Sequence, residues 1–183
     1  MKYELVKTDT KQFLGKTFYR IKALVAIGVL VKPNDLGGYI ESEKNLSQSG
    51  NAWVYGNAQI SGDALVYGNA LVYGNSQISG DAQMYGNALV YGNAQVYGNA
   101  LVSGDAQVSG NARVYGDSLV YGNAQVYGDA QISGNARVYG NARVYGNALV
   151  SGNALVSGNA QVYGDALVYG NAQVYGDAQI SGN

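Results

Sequence analysis

A six-residue repeat runs unbroken from Asn51 to Gly182, and it restricts what this chain can become more than any other feature. The unit is Asn/Asp-Ala-X-Val-Tyr/Ser-Gly, repeated 22 times without insertion, deletion or change of phase. A helix is incompatible with it. Glycine and asparagine every six residues penalise each turn, and six does not match a 3.6-residue period. In extended chain, Ala and Val lie two apart and face one side, with X and Tyr/Ser on the other. Gly and Asn/Asp follow, the residue types that most readily take positive φ. Each unit reads as a four-residue strand and a two-residue corner. Successive units must coil and stack to bury Ala and Val.

Three units per coil bring three Val side chains around a narrow axis, whereas four would enclose more volume than Val and Ala fill at native packing density. The expectation is an all-β chain, a single-stranded parallel β-helix with three sides, 18 residues per coil and about seven coils at ~4.8 Å spacing. A buried Val contributes ~1.5–3 kcal/mol, while ordering one residue costs ~1–2 kcal/mol. One coil cannot stand alone, so the array holds or fails cooperatively. Departures from the pattern are small for small or apolar for apolar: Ser76 and Ser118 replace Ala, and Met84, Ile60, Ile78, Ile132 and Ile180 replace Val.

Residues 1–44 do not repeat and read as an N-terminal β cap on the repeat region 45–183, covering strand edges that an open end exposes. Asn45 to Gly50 already carries the repeat in degraded form. Tyr3–Val6 and Thr17–Val25 have strand composition, joined at Leu14-Gly15-Lys16 as in a hairpin. Lys32-Pro33-Asn34-Asp35 and Gly37-Gly38 read as further turns. The apolar run Ala23–Val31 is half the ~20 residues of a spanning helix and reads as a buried strand, so no membrane contact and a cytoplasmic protein are expected.

The first fifty residues carry eight Lys/Arg against five Asp/Glu, and the repeat three Arg against seven Asp. Neither balance calls for nucleic acid as a partner. Without cysteine there is no disulfide framework or thiolate metal site.

Two resemblances rest on these residues. Units such as Ala124-Gln125-Val126-Tyr127-Gly128-Asp129 resemble the hexapeptide repeat of left-handed parallel β-helix proteins of the trimeric LpxA-like superfamily. The segments Phe18-Tyr19-Arg20-Ile21-Lys22-Ala23, Asp35-Leu36-Gly37-Gly38-Tyr39-Ile40-Glu41 and Gly50-Asn51-Ala52-Trp53-Val54-Tyr55 look like those of the YdcK-like repeat proteins of bacteria and phages. The resemblance implies a left-handed coil, and an acyltransferase label that members carry by analogy of fold.

Acyltransferases of that fold use a histidine base, and related carbonic anhydrases hold zinc with three; this chain has no histidine. The repeat's carboxylates, Asp63, Asp81, Asp105, Asp117, Asp129, Asp165 and Asp177, all occupy the corner slot where Asn usually stands. Their expected role is turn geometry. No catalytic, cofactor-binding or metal residue is assigned, although Asp63 and Asp81 should stack one coil apart.

Any interaction surface must then lie outside the prism. Sorting units by three places Tyr55, Tyr73, Tyr91, Tyr127, Tyr145 and Tyr163 in one column, Gln59, Gln77 and Gln95 on a second face, and Leu65, Leu101, Leu119 and Leu155 on a third. Exposed Tyr and Leu in that quantity suggest a partner surface. The expectation is a non-enzymatic, self-associating scaffold, paired side by side or end to end through the last coil. The alternatives are an acyltransferase-like enzyme, or a carbohydrate- or protein-binding module using the Tyr columns.

Overall fold

The computed structural model describes residues 1–183 as a three-sided parallel β-solenoid of about eight turns, capped at its N-terminal end. Each repeat contributes a strand of two residues, such as Gln95–Val96 or Leu101–Val102, rather than the four expected, except the four-residue strands Gln161–Gly164 and Gln179–Gly182; the strand one coil on is 18 residues later. Sheets of ten, eight and seven strands form the three sides. Within each, an N–H donates to the carbonyl seventeen residues on, as from Gln95 to Ala112 (2.9 Å) and Tyr97 to Val114 (3.0 Å).

The inner slots behave as their spacing requires. Every Ala and Val from Ala82 to Val162 is completely buried, in one continuous core that also takes in Tyr3 and Ile21 of the cap and Leu46 of the degraded first unit. Ser76 and Ser118 are equally buried in Ala slots. Each hydroxyl donates to the carbonyl of the tyrosine three residues earlier (2.8 and 2.9 Å), which removes the cost of an unpaired buried hydroxyl.

The corners are held by side-chain ladders. Asn51 donates its amide to Asn69 (3.1 Å), Asn69 to Asn87 (3.1 Å) and Asn87 to Asp105 (2.8 Å). A carboxylate accepts but cannot donate onward, so the ladder stops there and resumes at Asn123. Asp117, Asp129, Asp165 and Asp177 each end a ladder in the same way. Asp81 alone follows another carboxylate, Asp63, and there Lys44 of the cap bonds Asp63 and holds its pKa below the usual carboxylate value.

The cap is a hairpin of β1 (Tyr3–Phe13) and β2 (Lys16–Ala23), turning at Leu14 and Gly15 with φ of 48° and 74°. β3 (Leu36–Ile40) pairs antiparallel with β2 on one side and parallel with Gln59–Ile60 on the other, which converts hairpin into solenoid. Two expectations fail here. Gly37-Gly38 is no turn but the middle of β3, where a Cβ would lie 2.5 Å from Ile21 and 2.6 Å from Val54. The two glycines let β3 pass between hairpin and first coil. Ala23–Val31 is not a buried strand either: β2 ends at Ala23, and the chain loops outward with Val29 and Leu30 largely exposed, closed by a bridge between Ile27 and Val31. The turn at Lys32–Asp35 is present, with Asn34 at φ 73° and the Lys32 N–H bonded to the Asp35 carboxylate (2.7 Å).

Side chains from the cap and from Asn45, which opens the degraded first unit, serve carbonyls of the early coils. Lys2 Nζ donates to Ala52 O (2.9 Å), Tyr3 Oη to Leu46 O (2.7 Å), and Asn45 Nδ2 to Gly62 O (3.0 Å) and Ala64 O (2.9 Å). No helix is long and apolar enough to cross a membrane.

Candidate interaction surface

The outward slots alternate between the middle of each strand and the residue before the corner. In the second of these, tyrosines one coil apart stack face to face. Tyr73 and Tyr91 lie 5.0 Å apart at 5°, Tyr127 and Tyr145 4.9 Å at 2°, and Tyr145 and Tyr163 5.2 Å at 8°, all on the eight-stranded side. The spacing is the coil repeat itself, so each ring covers its neighbour's face without any loop to position it. Partial burial raises the pKa of Tyr73 and Tyr127, and the hydroxyl of the stacked neighbour adds to the shift.

Stacks also stand on the other two sides, as Tyr67–Tyr85 and Tyr121–Tyr139 on the seven-stranded sheet and Tyr97–Tyr115 on the ten-stranded one. A column of tyrosine is therefore not peculiar to one face. The mid-strand leucines are less continuous than the tyrosines. Leu101 and Leu119 are ladder neighbours, but Leu65 pairs with Gln83, and Leu155 lies between Arg137 and Gln173.

The structure gathers apolar side chains elsewhere. Beside Tyr55 and Tyr73, the mid-strand column of the eight-stranded sheet runs Trp53, Leu71, Leu89 before turning polar at Gln107 and Gln125. Trp53 is covered by the cap, its ring 6.2 Å from that of Tyr3. Leu71 and Leu89 are half-buried, without a cap residue closing over them as over Trp53. Together with Leu30 of the cap loop, Tyr55 and Tyr73, they line a shallow depression of about 430 Å³ whose walls are all hydrophobic. Leu71 and Leu89 were within reach of the sequence, since they share the phase of Trp53; Leu30 was not, because the Ala23–Val31 run reads as buried strand.

A family model described as the YdcK beta solenoid repeat matches residues 58–74, 66–80, 82–94, 94–106, 106–122, 130–146, 142–158 and 160–176. The chain belongs to the YdcK β-solenoid repeat family. No curated protein matches it in sequence. In this YdcK-type solenoid five corner carboxylates, Asp105, Asp117, Asp129, Asp165 and Asp177, accept Asn amides at the ladder ends, and no three His, Cys, Asp or Glu side chains converge as a metal site would need. Lys2 is the cap's most perturbed cation: burial lowers its pKa from 10.5 to about 8, with carbonyls and no carboxylate as partners.

Proposed function

We propose that this YdcK-type chain is a non-enzymatic scaffold that pairs with a second copy along its eight-stranded face. The observation that carries the reading is the hydrophobic depression of Leu30, Tyr55, Leu71, Tyr73 and Leu89. Its walls carry no charge, and their only side-chain polar groups are the Tyr55 and Tyr73 hydroxyls, so the complementary surface is itself mainly apolar, flat and of the same pitch. A second copy supplies that surface, and a twofold arrangement lets each depression meet the other. Five side chains fall short of the ~800 Å² that each partner of a stable pair buries. Contact therefore continues down the same face, over Tyr91 toward the Tyr127–Tyr145–Tyr163 stack. A non-enzymatic role is supported by a composition without histidine and by the engagement of five of the seven corner carboxylates in ladders.

The column itself supplies a test that spares the fold. Gln occupies the mid-strand slot at Gln107 and Gln125, so Leu71→Gln with Leu89→Gln introduces only what the solenoid already tolerates there. Sedimentation equilibrium of the wild type should show a concentration-dependent dimer. The double variant should weaken it at least ~10-fold, about 1.4 kcal/mol, with an unchanged thermal midpoint at concentrations where the wild type is monomeric. A wild-type chain that stays monomeric at high concentration overturns the proposal.

A further inference from the structure

A second depression lies on another side of the molecule, beneath the tip of the β1–β2 hairpin. Phe13 and Phe18 stand over the ten-stranded sheet where Gln59, Ser61, Gln77 and Ser79 face outward, and the space between is about 240 Å³. The space exists because of two departures from the repeat. Most units place Tyr before the corner, and the same column continues as Tyr97 and Tyr115, whose rings stack 5.0 Å apart. At Ser61 and Ser79, under the hairpin, the rings are missing.

The same departures release polar groups. Farther along, the Tyr115 and Tyr145 hydroxyls reach the glutamine sixteen residues on, Gln131 at 3.5 Å and Gln161 at 3.2 Å. Gln77 stands sixteen residues after Ser61 and has no ring to meet it. The Gln59 and Gln77 amides and both serine hydroxyls are thus left free to donate and accept together. Lys16 also borders the cleft, but Glu41 holds its ammonium at 2.8 Å and cancels its charge locally. Glu41 is itself committed, accepting the Gly62 N–H at 2.7 Å, which with Lys16 keeps its pKa low.

We propose that this cleft binds one neutral pyranose sugar. An anion finds no free cation there and a metal ion no free carboxylate. A purely apolar ligand would leave two amides and two hydroxyls unpaired, at a cost for each. A pyranose satisfies both kinds of wall, hydroxyls against Gln and Ser and its C–H face against the exposed ring of Phe13, which the buried Phe18 backs. The volume of about 240 Å³ admits a single ring, and the cleft is open to solvent on its outer side. The proposal is independent of pairing, since it uses a different sheet.

The test is a titration of the full chain with D-glucose, D-galactose and N-acetyl-D-glucosamine, followed by NMR at the Gln59 and Gln77 side-chain amides. At least one sugar should shift both amides to saturation, with a Kd on the order of 1 mM. Ser79→Tyr restores the usual residue of the slot and refills the cleft, so binding should weaken at least ~10-fold in a chain that stays folded. Ser151→Tyr, in the same column beyond the hairpin's reach, should bind as the wild type does. The proposal is overturned if no sugar shifts the amides, if Ser79→Tyr binds undiminished, or if cyclohexanol binds as tightly as the best sugar.

Discussion

Each position of the unit has one physical task, and the glycine that closes it has two. At Gly110 the backbone takes φ of +68°, and a Cβ would come within 2.9 Å of the N and O of Gly128 one coil on. At Gly176 the φ is +67°, but nothing lies within 4 Å of that Cβ. The pair separates backbone strain from steric contact. Gly176→Ala should cost only the ~1–2 kcal/mol of a left-handed L-residue. Gly110→Ala should cost clearly more, because the ladder must open to admit the methyl. Urea unfolding of both variants decides it, and equal losses would mean that the coil stacking is looser than 2.9 Å implies. The inner slots, the corners and the glycine φ were legible from spacing alone. The spacing places Asn87 and Asp105 one coil apart, but the amide donation between them depends on side-chain rotamers, which spacing alone does not specify.

At the scale of elements the cap departs from what its composition implies, at Gly37-Gly38 and at Ala23–Val31, and both departures have one cause. A nonrepeating segment has no period to fix its phase, so Gly37-Gly38 passed for a turn and Ala23–Val31 for buried strand. In fact the glycines serve close approach between β2 and the first coil, and the apolar run leaves the sheet to form one wall of the depression at Leu30. The hairpin turn and the turn at Lys32–Asp35 were legible because local residue chemistry specifies them. Docking of the cap has a titratable component in Lys2. Its pKa is about 8 folded and 10.5 when unperturbed, so between these values the unfolded chain binds more protons. Stability must then rise with pH across that window, and below it the full desolvation penalty applies. Tyr3, whose pKa burial raises, acts oppositely above 10, where only the unfolded chain ionises. Comparing wild type with Lys2→Met by denaturant midpoint isolates the lysine: the wild type should gain on the variant from pH 8 to 10. A constant difference would show that the ammonium reaches water.

For the molecule as a whole, the core and the surface obey different periods. Inside, any unit can occupy any side, because every unit offers Ala and Val or their close substitutes. Outside, residues share a column only if they are 18 apart. Deletion length therefore separates folding from pairing. Removing one unit, residues 99–104, leaves the interior equivalent and should give a folded chain with a slightly lower midpoint. Every column beyond the cut, however, moves to the next face, and the Tyr127–Tyr145–Tyr163 stack leaves the side of Tyr73 and Tyr91. Removing a whole coil, residues 93–110, takes out Ser109 and brings Tyr127 directly after Tyr91 on the same face. If the eight-stranded face is the pairing surface, the 18-residue deletion keeps or tightens the dimer in sedimentation and the six-residue deletion weakens it. Weakening by both deletions alike would tie association to length. Weakening by neither would confine it to the cap and first coils, around Leu30, Leu71 and Leu89.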